Sequence, residues 1–281
     1  MNRLLFAAFL IALSATPAAA WGPQGHSMVA MVAEARLSPE TRIKIGDMLL
    51  GAPLVTTGIF ADEYRVGHLE TSRWHYVDMP FDATAYSASR DCAVLVTGDC
   101  IIAAVKREQA IIIDPKARVF VRADALKRLV HWVGDIHQPF HAIERDGDEG
   151  GNKVNVDFFD DTKANLHGVW DSGLIRHSGV EAEPYVKHLL DDVLPTIPEA
   201  EWKNQDTVGW ALGSHDAAKG AYVANNTVLG QEYYDVQIKV VDRQLTLAGA
   251  RLAVLLGGLV ERSAASTPAE AVVMPAARAA E

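Results

Sequence analysis

Leu129-Val130-His131-Trp132-Val133-Gly134-Asp135-Ile136-His137-Gln138-Pro139-Phe140-His141 closes an apolar-periodic stretch that begins at Val119. The spacing predicts a helix over 119–135, which Pro139 prevents from running on. His131 and Asp135 are four residues apart, so one helix face presents both. His141 follows just beyond the expected helix end. The same spacing returns at His167 and Asp171 in Asn165-Leu166-His167-Gly168-Val169-Trp170-Asp171. A single pair of this kind is more often a salt-bridged surface pair. Two copies, separated by a segment carrying Gly147, Gly150 and Gly151 and joined by His141, point to metal ligation. Imidazole and carboxylate donors suit Zn²⁺, at bond lengths of roughly 2.0–2.2 Å.

Outward from this stretch, helical periodicity is strong over 28–36, 40–50, 101–114, 182–190 and 207–223, and again over 231–262. Ser38-Pro39-Glu40 is an N-cap followed by a proline at the first helical position. Strand signals are scarce. The segment 138–167 reads as irregular, with a short strand over Asn155 to Phe159. The expected fold class is mainly α, a single multi-helix domain over residues 21–262. Residues 245–260 are apolar, but Arg251 interrupts them, which favours a buried core helix over a membrane anchor. Residues 263–281 are rich in Ala and Pro and read as a disordered tail. Asn225-Asn226-Thr227 matches a glycosylation acceptor, a short pattern that carries little weight.

At the other end, Arg3, the apolar run Leu4 to Leu13 and Ala18-Ala19-Ala20 have the form of a signal peptide over residues 1–20, cleaved between Ala20 and Trp21. Secretion or a periplasmic location is the expectation. Cys92 and Cys100 are the only cysteines. In an exported protein they read as one disulfide pinning a loop, against the alternatives of free thiols or a metal site. The chain carries 26 basic and 36 acidic residues, a formal charge of −10. Loss of Arg3 with the signal leaves −11. A nucleic-acid binder ordinarily shows a basic face, so any such role needs positive charge from bound metal ions.

Upstream, Phe60-Ala61-Asp62-Glu63-Tyr64-Arg65 sets an arginine three residues after a carboxylate. Arg73-Trp74-His75-Tyr76-Val77-Asp78 sets a carboxylate three residues after a histidine. Trp21-Gly22-Pro23-Gln24-Gly25-His26 would offer, once cleaved, a free α-amine and a histidine. An α-amine has a pKa of about 7.7–8.0, so a metal displaces its proton readily.

These motifs, in this order and spacing, resemble the S1/P1 nucleases: WGPQGH, FADEYR, RWHYVD, HWVGDIHQPFH, GGN and NLHGVWDSGLI. The later stretch 229–252 is similar to that family's last core helices, so the resemblance spans residues 21 to about 260. It implies a phospholipase C/P1 nuclease-like fold with three Zn²⁺ at the bottom of a cleft. One ion would take Asp62, His75, His131 and Asp135. A second would take the Trp21 amine and carbonyl, His26 and a shared Asp135, and the third His141, His167 and Asp171. Arg65 and Asp78 match the catalytic pair, with Asp78 orienting the attacking water or holding Arg65. Tyr76 matches a base-stacking aromatic, and Asn152 a position near the site. Against three carboxylates the ions leave a site of about +3, which answers the charge objection. The implied activity is endonucleolytic hydrolysis of the P–O3′ bond in single-stranded DNA and RNA, leaving 5′-phosphates, with 3′-nucleotidase activity. The implied partners are single-stranded nucleic acid and 3′-nucleotides, with no stable membrane association.

Two rival readings remain open on the sequence. A zinc-dependent phospholipase C shares the architecture, but typically ends its ligand set with Glu where this chain has Asp171. A non-enzymatic secreted zinc-binding protein leaves Arg65 and Asp78 unexplained. His68, His137, His177, His188 and His215 fall at no ligand position and read as structural. Trp74, Trp132 and Trp170 read as core packing.

Overall fold

The computed structural model describes residues 21–266. The expected signal peptide and most of the expected tail lie outside the described residues. The chain folds mainly as helices around one long one, α12 (Gln231–Ser266). That helix runs four residues into the stretch expected as tail. Before it come α1 (Pro23–Arg36), α2 (Pro39–Met48), α3 (Phe60–Arg65), α4 (Ala88–Asp91), α5 (Ile101–Ile113) and α6 (Val119–Asp135). They are followed by α7 (Leu166–Gly168), α8 (Leu174–His177), α9 (Ala182–His188), α10 (Glu199–Lys203) and α11 (Thr207–Lys219). A π-helical turn, Val169–Gly173, joins α7 to α8.

The elements follow from local chemistry. Ser38 caps α2 by accepting a hydrogen bond from the Thr41 amide. Pro23 opens α1 five residues earlier than the apolar spacing indicated, because a proline at the first helical position costs no hydrogen bond. The periodicity over 182–190 becomes α9 and then a second π-helical turn, Leu189–Val193. The short helices α3, α4 and α10 left no periodic signal, since four to six residues span less than two turns.

The apolar face of α12 (Val241, Leu245, Ala248, Leu252, Leu256 and Leu259) is fully buried. It packs along α1 and against α2, α5, α6, α8 and α10. By length and composition this helix could cross a membrane, yet 78% of its most apolar stretch is buried inside the protein. The core-helix expectation therefore describes it. It packs tightly on α1 at Gly249, where a β-carbon would lie 2.4 Å from Val32 Cβ. A three-stranded sheet sits at the edge, β1 (Asn155–Phe158) between antiparallel β2 (Asp161–Asn165) and parallel β3 (Thr227–Leu229). Only β1 was expected, because β2 (Asp-Thr-Lys-Ala-Asn) has no apolar alternation. Asn225, in the candidate glycosylation motif, uses its side-chain oxygen to accept from the Asn155 amide (2.7 Å).

Gly249→Ala should lower stability by about 1–3 kcal/mol, the usual cost of overpacking, read as a drop in thermal midpoint. Gly257→Ala meets no atom within 4 Å, so there the lost glycine entropy should raise stability by about 0.5–1 kcal/mol.

Candidate metal centre

The C-terminal turn of α6 places His131 and Asp135 on one face, both fully buried. His75 ends the 3₁₀ segment Leu69–His75, and His26 lies in the first turns of α1. Asp135 turns its two oxygens in different directions. Oδ1 lies 3.2 Å from His26 Nε2. Oδ2 lies 2.9 Å from His75 Nδ1 and 3.1 Å from His131 Nε2. Asp62, on α3, brings Oδ1 to 3.9 Å from both of those nitrogens.

A second cluster forms where the 3₁₀ turn Pro139–His141 meets the α7–α8 segment. His167 Nε2 lies 3.2 Å from His141 Nε2 and 3.4 Å from Asp171 Oδ2. His141 Nε2 lies 3.7 Å from Asp171 Oδ1. The loop before it is built tightly. Gly150 has φ +60°, and a β-carbon there would lie 2.5 Å from the Phe140 carbonyl oxygen. Asn165, at the end of β2, caps the ligand segment by accepting from the Gly168 amide (2.7 Å). Gln138 braces Asp171, donating to its Oδ1 at 2.6 Å.

Whether these residues suit a metal is decided by their tautomers. The Nδ1 atoms of His131, His141 and His167 each face a backbone carbonyl oxygen, of Gly58, His75 and Gly150, at 2.6–2.7 Å. Only an N–H can occupy that position, so in the neutral ring Nε2 carries a lone pair. Lone pairs therefore face one another across 3.2 Å, between His141 and His167. Another lone pair faces a carboxylate oxygen across 3.1 Å, between His131 and Asp135. Facing acceptors repel unless a cation lies between them, and these carbonyls are the outer partners that aim metal-binding imidazoles. Among the described residues, three His/Asp groups gather their ligand atoms within 4.8 Å: His26-Asp62-His131, His75-His131-Asp135 and His141-His167-Asp171. Each can hold a metal ion.

The protonation tendencies are mixed. Burial lowers the pKa of His26 and His167, and takes His75 to about 4, which favours neutral rings. Burial pulls the same way at His131 and His141, but neighbouring carboxylates, Asp135 and Asp171 foremost, raise both. Burial also works against the Asp135 carboxylate, yet the surrounding imidazoles hold it well below the usual range.

Above the clusters opens a cleft of about 820 Å³. His75, His141, His167 and Asp171 reach its floor, and Arg65, Tyr76, Asp78 and Asn152 line it. Gly22 lines it too, its amide donating to the Asp171 carbonyl (2.7 Å), which sets the Trp21–Gly22 junction beside Asp171. Arg65 pairs with Asp62 (3.3 Å) rather than with Asp78. The cation facing Asp78 is Arg73, at 3.7 Å, whose guanidinium also lies 5.5 Å from the Tyr76 ring centre. The expectation that Asp78 holds Arg65 is thus replaced, because α3 turns Arg65 toward Asp62 on the same helix. Burial raises the Asp78 carboxyl to about 6, although Arg73 works in the other direction. Asn152 donates to the Glu149 carbonyl (2.9 Å).

Arg73, Glu149, Ser172 and Arg176 are site residues that the sequence reading missed. Arg73 was legible only as the first residue of its motif. The Cys92–Cys100 disulfide is present. Its loop braces the Arg73 segment: the Thr97 carbonyl accepts from the Arg73 amide (3.0 Å), and Asp99 O from Arg73 Nε (3.2 Å).

The five remaining histidines take no part in the clusters. His137 is buried and neutral, desolvated and facing Arg251, with Nδ1 donating to Val133 O (2.7 Å). Its Nε2 accepts from Arg251 (2.8 Å). His215 meets the Pro80 carbonyl oxygen, His68 stacks on Tyr64, His177 stacks on Phe159, and His188 faces Asp192. Trp132 and Trp170 are buried, and Trp74 is half-buried, edge-on to Trp132.

Residues 21–261 match the family model described as S1/P1 Nuclease. Endonuclease 2 of Arabidopsis thaliana is 29% identical over 264 residues, covering 84% of this chain and 89% of the relative. Nuclease P1 of Penicillium citrinum is 29% identical over 275 residues, covering 83% and 95%. Nuclease S1 of Aspergillus oryzae is 29% identical over 269 residues, covering 84% and 90%.

Gly134 packs on the first cluster, since a β-carbon there would lie 2.7 Å from His26 Nδ1. Gly134→Ala should therefore push the His26 ring off Asp135. Elemental analysis should find less metal per chain than in the unsubstituted protein, with the far-ultraviolet circular dichroism unchanged.

Proposed function

The chain belongs to the S1/P1 nuclease family, and from that premise we propose that it is a secreted, zinc-dependent endonuclease acting on single-stranded DNA and RNA. It hydrolyses the P–O3′ bond to leave 5′-phosphates, and it removes phosphate from 3′-nucleotides. The observation that carries this reading is the set of mutually facing acceptors beneath the cleft, joined to an arginine and a carboxylate at its wall.

Three Zn²⁺ complete the site: one with Asp62, His75, His131 and Asp135; one with Trp21, His26 and Asp135; one with His141, His167 and Asp171. When bound, such ions polarise phosphoryl oxygens, lower the pKa of water toward 7 and neutralise charge on the departing oxygen. Arg65, tethered by Asp62, donates to a non-bridging phosphate oxygen. Asp78, half-buried at the wall, accepts a proton from the attacking water and orients it, while Arg73 holds the carboxylate in place. Tyr76, with Arg73 beside it, offers its ring to a nucleobase, and single strands are favoured because a base must leave its stack to reach it. Asn152 contributes to the same wall.

Residues 21–262 form the catalytic domain in this reading, and cleavage between Ala20 and Trp21 frees the amine that completes the second ion's ligands. The hydrogen bond from the Gly22 amide to Asp171 supports that role by seating the Trp21–Gly22 junction beside the clusters.

The deciding test is elemental analysis of protein starting at Trp21, with single-stranded DNA hydrolysis measured before and after chelation. About three zinc ions per chain and chelator-sensitive cleavage leaving 5′-phosphates are expected. Correctly processed protein without zinc would overturn the reading. A separate comparison concerns Asp135, whose two oxygens face different imidazoles. Asp135→Asn should cost more than about 100-fold in kcat and exceed the loss in Asp171→Asn. Equal losses would argue against a shared ligand.

A further inference from the structure

We infer that Arg176 is a specificity-determining residue, holding a backbone phosphate of the strand beyond the bond being cut; this rests on the nuclease reading. The cleft is not closed on every side. A second hollow of about 460 Å³ adjoins it, and the two share Asn165, Gly168 and Arg176 as common wall. A strand too long for the cleft has a concave path onward across that wall.

The charges along the path single out Arg176. In the cleft, Arg65 is engaged by Asp62, Asp78 faces Arg73, and Glu149 pairs with Lys153 (2.8 Å). The exposed Arg176 side chain makes no hydrogen bond, ion pair or ring contact with any described residue, although its backbone carbonyl accepts from Gly179. It stands five residues after Asp171, on α8, which is continuous with the segment carrying the metal ligands. An exposed, unpaired guanidinium at the junction of two hollows is free to make paired hydrogen bonds to a phosphate. Lys163, also exposed and with no side-chain partner among the described residues, borders the second hollow and continues the positive path. Asp160 and Asp161 border it as well, at the hairpin turn; the Asp161 carboxylate accepts from the Lys163 backbone amide (3.1 Å), and neither carboxylate forms an ion pair with the Arg176 or Lys163 side chain. In a protein of net charge −10, two unengaged cations beside the cleft are a local exception that a polyanion can use. A 3′-nucleotide carries no further phosphate and gains nothing from them.

The test compares zinc-loaded wild-type, Arg176→Ala and Arg176→Lys proteins on a single-stranded DNA oligonucleotide and on a 3′-nucleotide, across a series of salt concentrations. In Arg176→Ala the ratio of kcat/KM on the oligonucleotide to that on the 3′-nucleotide should fall about 5- to 10-fold, through KM. The slope of log kcat/KM against log salt on the oligonucleotide should become shallower by about 0.7, as expected when one phosphate of a single strand is no longer neutralised by the protein. Arg176→Lys should recover part of both. An unchanged ratio with an unchanged salt slope, in a variant whose melting temperature matches wild type, overturns the role of Arg176 alone. A zinc-loaded wild-type protein that cleaves neither substrate overturns the nuclease reading beneath it.

Discussion

A fully buried carboxylate, Asp135, surrounded by His26, His75 and His131 is the constraint from which the rest of the architecture follows. An ionised group with no solvent around it is costly unless positive charge or donors reach it. Here the nearby rings bring lone pairs as well as protons, and the backbone contact of His131 makes its inward nitrogen an acceptor. Such a cluster is stable around cations and strained without them. Its position at the C-terminal end of α6 adds the negative end of the helix dipole, which again favours positive charge. The site is thus an anionic and acceptor-rich hole, not a preformed basic groove.

Holding that hole open requires rigid walls from distant parts of the chain. Helix α1 must begin at once after Gly22 for His26 to arrive, and Pro23 secures that start. Helix α12 passes behind, close enough at Gly249 that α1 and α12 almost touch backbone to side chain. The buried Arg251 of α12 is accommodated by a neutral His137, which accepts from it while donating back to Val133. His137 is therefore used structurally only two residues from Asp135, which belongs to a candidate metal cluster. The π-helical turn at Val169–Gly173 widens the helix where Asp171 projects, a local irregularity of the kind that recurs at functional sites.

Charge along the cleft is arranged by pairing. Arg65 belongs with Asp62, and Arg73 with Asp78 and Tyr76, while the disulfide loop fixes Arg73 through two backbone carbonyls. The Cys92–Cys100 bridge closes the loop that carries those two carbonyls. These few arginines, with any cations the clusters hold, are the sources of positive field near the cleft in a protein of −10.

Sequence alone determined the helical class, the core role of residues 245–260, and the pairs His131–Asp135 and His167–Asp171, because each depends on a repeat of 3.6 residues within one segment. It also indicated that His26, Asp62, His75 and His141 belong with those pairs, through the order of the motifs. Strands β2 and β3 escaped, since β2 is polar throughout and β3 is three residues long, held only by pairing with β1. Tertiary structure alone decided which oxygen of Asp135 meets which ring, that Arg73 and not Arg65 faces Asp78, and that Arg176 joins the cleft to a second hollow. These relations link loops far apart in sequence, and their geometry depends on how α1, α3, α6 and α8 pack, which no local spacing encodes.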